Sequence, residues 1–184
     1  MKEPKWDSCS EKELWEYVAF HLSLAGINTV LVGGAVVSIY TKGIFVSGDL
    51  DLVLQNYQVD ENTFQKVLQN IGFEKYSTRN YYKHPKCDHI FIEFMSPPVS
   101  IGEDYNIKPD EIKIDGTVIK ILSPTDCIKD RLASYIYFNA RECFEQAILV
   151  AKEQLFDIKS VEKWCRKEGG SAIKVFNEFK NSLK

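Results

Sequence analysis

Two aspartates separated by one residue are the first candidates for chemistry in this sequence. Asp49 and Asp51 lie in the segment 44–54, where apolar residues flank them on both sides. If the segment is a strand, both carboxylates project from one face, roughly 7 Å apart along the chain. A solvated edge strand could also carry such acids, but the flanking residues favour a central strand. Two like charges this close repel unless a cation lies between them, so we interpret the pair as a metal site.

A pair of glycines precedes these acids. Gly33 and Gly34 follow an apolar segment, residues 28–32, that reads as a buried strand. Glycine lets a backbone pass close to a ligand, and a helix predicted over residues 35–41 would expose amide N–H groups at this turn. Since such groups bind anions, phosphate and metal would meet in one place.

A third acid lies on a later segment with strand periodicity. In residues 89–95, Glu93 shares one face with His89 and Phe91, while apolar side chains line the other. A carboxylate among apolar neighbours is costly to bury without a cation or a hydrogen-bonded partner. A solvated sheet face would also accept it. We predict that Glu93 is the third acid of the metal site.

Two other groups of residues have weaker claims to a site. His84, Cys87 and His89 could bind zinc, but no fourth ligand lies at a useful spacing, which favours coincidence. Five basic residues could reach a triphosphate or an acceptor, although basic side chains on helices are usually solvated. They are Arg79, Lys83, Lys129, Arg131 and Arg141. Arg131, which follows Asp130 in an apolar helical stretch, is the strongest of the five.

The elements that must position these residues are short strands and helices. Residues 10–13 and 123–126 are capping boxes that begin helices, and Asp115-Gly116 predicts a hairpin over residues 111–121. Strands are predicted at 28–32, 73–76, 80–83 and 89–95, with further helices at 60–69, 139–153, 157–169 and 172–183. Asn139 is the predicted cap of the second of these helices. Residues 96–109 form a loop that could act as a lid.

This order of elements predicts an α+β fold, in which helices flank a mixed β-sheet. Residues 1–122 form the α/β domain, and residues 123–184 form a C-terminal helical segment packed on it. A chain of 184 residues suits one domain with such an appendage.

Composition narrows the class of protein further. An apolar content of 45% and a charged content of 27% are typical of a soluble globular protein. The net charge of −3 gives no support to non-specific binding of nucleic acid or membranes, and no apolar run approaches the roughly 20 residues of a membrane span. The N-terminus lacks the apolar core of a signal peptide. Five scattered cysteines without a CxxC pair suit reduced thiols. We therefore expect a cytoplasmic protein with no membrane partner.

The order of the motifs resembles the signature of the polymerase-β-like nucleotidyltransferase superfamily. In that pattern an apolar residue precedes Gly and then Gly or Ser, a spacer leads to two acids separated by an apolar residue, and a third acid follows on a later strand. Gly33, Gly34, Asp49 and Asp51 match directly, and Glu93 is the natural third acid. The motifs cover about residues 10–95. The helical tail resembles, more loosely, that of small bacterial members, some of which are toxins of toxin–antitoxin pairs.

The resemblance implies a nucleotidyltransferase-like sheet and a reaction. A nucleoside monophosphate would pass from a nucleoside triphosphate, ATP among the candidates, to a protein or RNA hydroxyl. Asp49, Asp51 and Glu93 would hold Mg²⁺, with Mn²⁺ as the alternative, and Glu93 would either bind the ion at the acceptor hydroxyl or serve as its base. The amides of Gly33 and Gly34 would hold the triphosphate.

Two departures from the family pattern open a second hypothesis. Gly34 stands where many members have serine, so a hydroxyl that touches the phosphate is missing; Ser38 or Ser47 could substitute, and Arg131 is a further nucleotide-binding candidate. The spacer of fourteen residues from position 35 to 48 is also slightly long. The chain is then either an active enzyme, for which the resemblance implies a toxin-type setting with an antitoxin partner, or a degenerate module that binds nucleotide or protein without chemistry.

Overall fold

The computed structural model describes residues 1–76 and 80–184, and it confirms the predicted α+β class. The helices are α1 (Glu11–Leu24), α2 (Gly33–Tyr40), α3 (Glu61–Asn70), α4 (Pro124–Phe138), α5 (Arg141–Glu153), α6 (Ile158–Glu168) and α7 (Ala172–Asn181). The strands are β1 (Thr29–Val32), β2 (Asp49–Leu54), β3 (Glu74–Lys75), β4 (Tyr81–His84), β5 (Cys87–Met95), β6 (Asp110–Ile114) and β7 (Thr117–Ile121).

One mixed sheet places the acid-bearing strand at its centre. Over residues 1–76 and 80–184 the strand order is β3-β4-β5-β2-β1-β7-β6. Strand β2 pairs antiparallel with β1 and parallel with β5, while β7 runs parallel to the other side of β1. The prediction that the two aspartates lie on a central strand is therefore confirmed.

Local sequence signals account for several of these boundaries. The Ser10 hydroxyl accepts a hydrogen bond from the Glu13 backbone N–H, and the Glu13 carboxylate accepts one from the Ser10 backbone N–H, so the capping box that begins α1 is present. Pro124 takes the first position of α4 after the Ser123 cap. Asp115 and Gly116 have φ values of 47° and 80°, the left-handed pair that a tight hairpin between β6 and β7 requires.

Three details differ from the sequence-based expectation or fall outside it. Asn139 does not cap α5; it adopts a left-handed conformation, φ 54°, that ends α4, and α5 begins after Ala140 without a side-chain cap. The loop at residues 96–109 contacts α6, where the Trp164 indole donates to the Ile101 carbonyl over 3.1 Å, and its role as a lid stays a prediction. The turn predicted between β3 and β4, with Arg79, lies outside the described residues.

One hydrophobic core connects the sheet to the C-terminal helices. Leu50 and Ile92 from the sheet and Ile128, Leu132 and Phe144 from the helices belong to the same buried cluster. The Gln154 amide of the tail also donates to the Tyr40 carbonyl over 2.7 Å. A division at residue 122 stays a prediction. None of the helices in the described part of the chain is both long and apolar enough to cross a membrane.

Candidate active site

The register of the sheet brings the three predicted acids to one face. Asp51 lies opposite Glu93 on the parallel neighbour β5, and Asp49 lies opposite Phe91 in the same ladder. Because side chains alternate along a strand, Asp49, Asp51 and Glu93 share a face, while Leu50 on the other face is fully buried. All three acids are partly buried. Parallel pairing of β2 with β5 therefore joins residues 42 positions apart in sequence.

Asp51 is the acid that this arrangement perturbs most. Burial raises its pKa first, and the negative charges of Asp49 and then Glu93 raise it further, to about 7, while the positive charge of Arg131 opposes the rise. Near neutral pH the Asp51 carboxyl is thus divided between its protonated and ionised forms. A cation at this face would stabilise the ionised form.

The glycine turn touches this acid directly. Gly33 has φ 75°, which L side chains rarely adopt, and a Cβ added to it would collide with the Asp51 carboxylate. Gly33 also begins α2, and its N-cap, Val32, makes no side-chain hydrogen bond to the helix N-terminus. The first N–H groups of α2 therefore have no capping side chain to accept their hydrogen bonds, and they lie beside an acidic group that suits a metal.

Ser47 fills the space beside the second glycine. A Cβ on Gly34 would lie 3.1 Å from the Ser47 Cβ and closer still to its hydroxyl oxygen. That hydroxyl donates to Asp49 Oδ1 over 2.6 Å. A hydroxyl therefore lies next to the glycine turn even though position 34 has none, and the substitution of Ser47 for the missing serine stays a prediction.

A buried glutamate that the sequence did not single out holds this serine in place. Glu11 Oε1 accepts the backbone N–H of Ser47 over 2.6 Å and that of Gly48 over 3.0 Å. Its second oxygen accepts a hydrogen bond from the Ser38 hydroxyl. Glu11 is only 5% exposed. An acid in the first turn of a helix is common, so nothing in the local sequence distinguishes this one; only the fold shows that it fastens the turn before Asp49.

The two other predicted nucleotide-binding residues, Ser38 and Arg131, are both bound to acidic side chains. The Ser38 hydroxyl is buried and committed to Glu11, so the structure does not direct it at the acids. The largely buried Arg131 guanidinium pairs with Asp130, with its Nη2 2.6 Å from Oδ2, and its charge acts on Asp51. Its predicted role in nucleotide binding stays a prediction.

Three of the remaining basic candidates have other contacts. Lys129 pairs with Asp126 and Arg141 with Glu178. Lys83 lies over the ring of Tyr76.

The donor set of the three acids fits a hard divalent cation. Carboxylate oxygens are the ligands that Mg²⁺ and Mn²⁺ prefer. The raised pKa of the partly buried Asp51 also indicates that the nearby positive charge does not offset burial and the neighbouring negative charges. Their oxygens are not drawn tightly together. In the described ranges, the one group of three potential ligands whose donor atoms all lie within 4.8 Å of one another is Cys9, Cys87 and His89. Like-charge repulsion is a sufficient reason for three carboxylates to stay apart.

Comparison with known proteins agrees with the fold and the motifs. The chain is similar to an antigenic nucleotidyltransferase-like protein from Paracoccidioides brasiliensis, with a TM-score of 0.65 and 16% identity over 96% of this chain and 93% of that one. It is also similar to the antibiotic-resistance factor ANT(2'')-Ia, with a TM-score of 0.52 and 12% identity over 92% and 90% of the two chains. At these identities the likeness is one of fold. No curated protein matches the sequence significantly.

A family match carries the assignment further than the fold. The sequence model of a family described as nucleotidyl transferase of unknown function (DUF2204) matches residues 11–163, which include the glycine turn, all three acids and α4. The resemblance to the polymerase-β-like superfamily inferred from the motifs is therefore confirmed. The chain belongs to this nucleotidyl transferase family.

Proposed function

We propose that the protein is a metal-dependent enzyme that transfers a nucleoside monophosphate from a nucleoside triphosphate to an acceptor hydroxyl. The observation that carries the proposal is the contact between Gly33 and Asp51, on the sheet face that also carries Asp49 and Glu93. It joins an amide-lined turn suited to phosphate with carboxylates suited to Mg²⁺ or Mn²⁺.

The acids and the turn have separate roles in this proposal. Asp49, Asp51 and Glu93 would hold the divalent cation, which supplies charge neutralisation at the phosphates and lowers the pKa of a bound hydroxyl. The amides of Gly33 and Gly34 bind the triphosphate. Ser47 lies beside this turn and can donate to a phosphate oxygen once it turns from Asp49.

The transfer breaks one bond and forms one. The acceptor oxygen attacks the α-phosphorus, the bond from that phosphorus to the bridging oxygen of the pyrophosphate breaks, and pyrophosphate leaves with the electron pair. The acceptor hydroxyl loses its proton in this step: Glu93 would take that proton itself, or would hold the cation beside the acceptor while solvent takes the proton. Arg131, whose charge acts on Asp51, keeps positive charge near a site whose substrate is strongly anionic. Ser38 acts only through Glu11, as a support of the turn before Asp49.

The acceptor and the setting are also proposals. The formal net charge of the chain, −3, favours a small or protein acceptor over a large RNA, because RNA is itself negatively charged. Five free, buried thiols support the cytoplasm as the compartment. A toxin-type enzyme with an antitoxin partner rests on the resemblance of the helical tail alone.

A degenerate nucleotide-binding module is the second candidate. The observation that favours it is the spread of the three carboxylates, whose oxygens are not all within 4.8 Å of one another. On this alternative the glycine turn still binds a triphosphate, but the acids do not assemble around it.

Pyrophosphate release and label transfer distinguish the two candidates. The protein is incubated with each nucleoside triphosphate labelled at its α-phosphate, with Mg²⁺ or Mn²⁺ and a protein or RNA fraction as acceptor. We expect both signals in the wild type and neither in Asp49→Asn and Asp51→Asn. Asp110→Asn, on the exposed edge strand β6, is the matched control and should stay active. Stoichiometric nucleotide binding without pyrophosphate release would reject the enzyme and favour the module.

A further inference from the structure

The fold assembles two thiols and an imidazole at the start of β5, apart from the three acids. Cys9 comes from the segment just before α1, and Cys87 and His89 come from β5 itself. The Cys9 and Cys87 sulfur atoms are 3.9 Å apart, and Cys87 Sγ lies 3.7 Å from His89 Nδ1. Both thiols are buried, whereas the imidazole is partly exposed. We call these three residues the Cys/His cluster.

The spacing of the Cys/His cluster matches a tetrahedral zinc site. With Zn–S near 2.3 Å and Zn–N near 2.1 Å, two sulfur ligands lie about 3.8 Å apart and a sulfur–nitrogen pair about 3.6 Å apart. The observed 3.9 and 3.7 Å exceed these by about a tenth of an ångström. The donor atoms of all three residues lie within 4.8 Å of one another. One ion could therefore contact all three with little rearrangement.

The imidazole is already oriented for metal binding. His89 Nε2 lies 2.9 Å from the carbonyl oxygen of Cys9, which can only accept a hydrogen bond, so Nε2 carries the proton. In the neutral ring this leaves the lone pair on Nδ1, the nitrogen that faces Cys87. Metal-binding histidines regularly donate their second nitrogen to a backbone carbonyl in this way, since the bond sets both tautomer and ring orientation.

We propose that Cys9, Cys87 and His89 form a binding site for a thiophilic divalent cation, with Zn²⁺ the best fit. Cys9 and His89 both line a cavity of about 640 Å³, so water in this cavity would supply the fourth ligand. This site is distinct from the hard, all-carboxylate site for Mg²⁺, because two thiol ligands select softer metals.

The site differs from the zinc motif considered in the sequence. His84 is not part of it: its Nδ1 accepts the Lys86 amide over 3.2 Å, and its ring stacks on Trp6. The ligand that the local sequence spacing did not reveal is Cys9, which lies 78 positions before Cys87.

The location of the site gives it a structural consequence. Glu11, which holds the turn before Asp49, lies two residues after Cys9. An ion bound to Cys9 and to β5 would fix the beginning of α1 against the strand that carries Glu93. Metal binding is therefore expected to stabilise the protein against heat.

Metal titration of the whole, reduced protein tests this proposal without reference to transferase activity. We expect about one equivalent of Zn²⁺ to bind, and Co²⁺ to give a thiolate-to-metal charge-transfer absorption with tetrahedral ligand-field bands. Cys9→Ser and Cys87→Ser should weaken Zn²⁺ binding at least about tenfold. Cys165→Ser, which removes another buried free thiol, is the control and should bind as the wild type does.

His89→Ala keeps the test decisive if a buried substitution prevents folding, because the imidazole is partly exposed. It should fold, by circular dichroism, and bind Zn²⁺ at least about tenfold more weakly. Unchanged binding in that variant, a Co²⁺ spectrum without the charge-transfer band, or a Cys9–Cys87 disulfide formed in preference to the metal complex would overturn the proposal. These results leave the Mg²⁺-dependent reaction at Asp49 and Asp51 untouched, so the two proposals fail separately.

Discussion

Asp51→Asn is expected to make the metal-free protein more stable at alkaline pH while it removes activity. The pKa of Asp51 rises from 3.8 to about 7 on folding, first through burial and then through Asp49 and Glu93. Below pH 3.8 the folded and unfolded chains both keep the proton. Between 3.8 and about 7 the unfolded chain loses it while the folded chain keeps it, so the free energy of unfolding falls as pH rises and levels off above about 7.

The size of this effect follows from the two pKa values. Full ionisation of Asp51 costs the folded state about 4 kcal/mol, of which about 2.5 kcal/mol appears between pH 5 and pH 8. Asparagine does not titrate, so the stability advantage of Asp51→Asn over the wild type should widen by about 2.5 kcal/mol across this interval. For a chain of this length that corresponds to about 5–10 °C in Tm.

Thermal unfolding in EDTA at pH 5 and pH 8 measures the difference. Asp49→Asn is the matched control: it removes one cause of the raised pKa but leaves burial, so its advantage should widen less than that of Asp51→Asn. Mg²⁺ at pH 8 should stabilise the wild type and have little effect on Asp51→Asn. An advantage that stays constant between pH 5 and pH 8 would refute the reasoning, because Asp51 would then titrate alike in both states.

Two further substitutions test how the turn and the acids are held. Gly33→Ala should abolish pyrophosphate release, because its methyl group would displace the Asp51 carboxylate; Gly26→Ala, which has the same positive φ but open space around it, should cost a similar ~1 kcal/mol of backbone strain and stay active. Equal activity of the two variants would contradict this. Glu11→Ala should lower the free energy of unfolding by about 3 kcal/mol, read as about 9 °C in Tm, because two partly buried backbone N–H groups lose their acceptor. Glu11→Gln retains an acceptor oxygen for both and should lose less than half as much; identical losses would show that the hydrogen bonds are not the cause.

Much of the fold and of the candidate site was predictable because its signals are local. Period-two alternation placed Asp49 and Asp51 on one face, and the Asp115-Gly116 pair indicated the hairpin, since each depends on the geometry of a few consecutive residues. Asn139 shows where local sequence signals are not sufficient. An asparagine can begin a helix or end one in the left-handed conformation, and the structure shows that Asn139 ends α4, with its backbone N–H donating to the Tyr135 carbonyl.

The sequence by itself determined which residue types could do chemistry: paired acids, a glycine turn, a later glutamate and scattered thiols. The tertiary structure alone decided which of them meet. Parallel pairing set Asp51 opposite Glu93, and the start of α1 brought Glu11 to the turn before Asp49. Cys9 lies beside Cys87 and His89, which are 78 and 80 positions away in the sequence. The physical reason is that strand register and helix docking are set by burial of the whole apolar core, a sum over distant contacts that no local pattern contains.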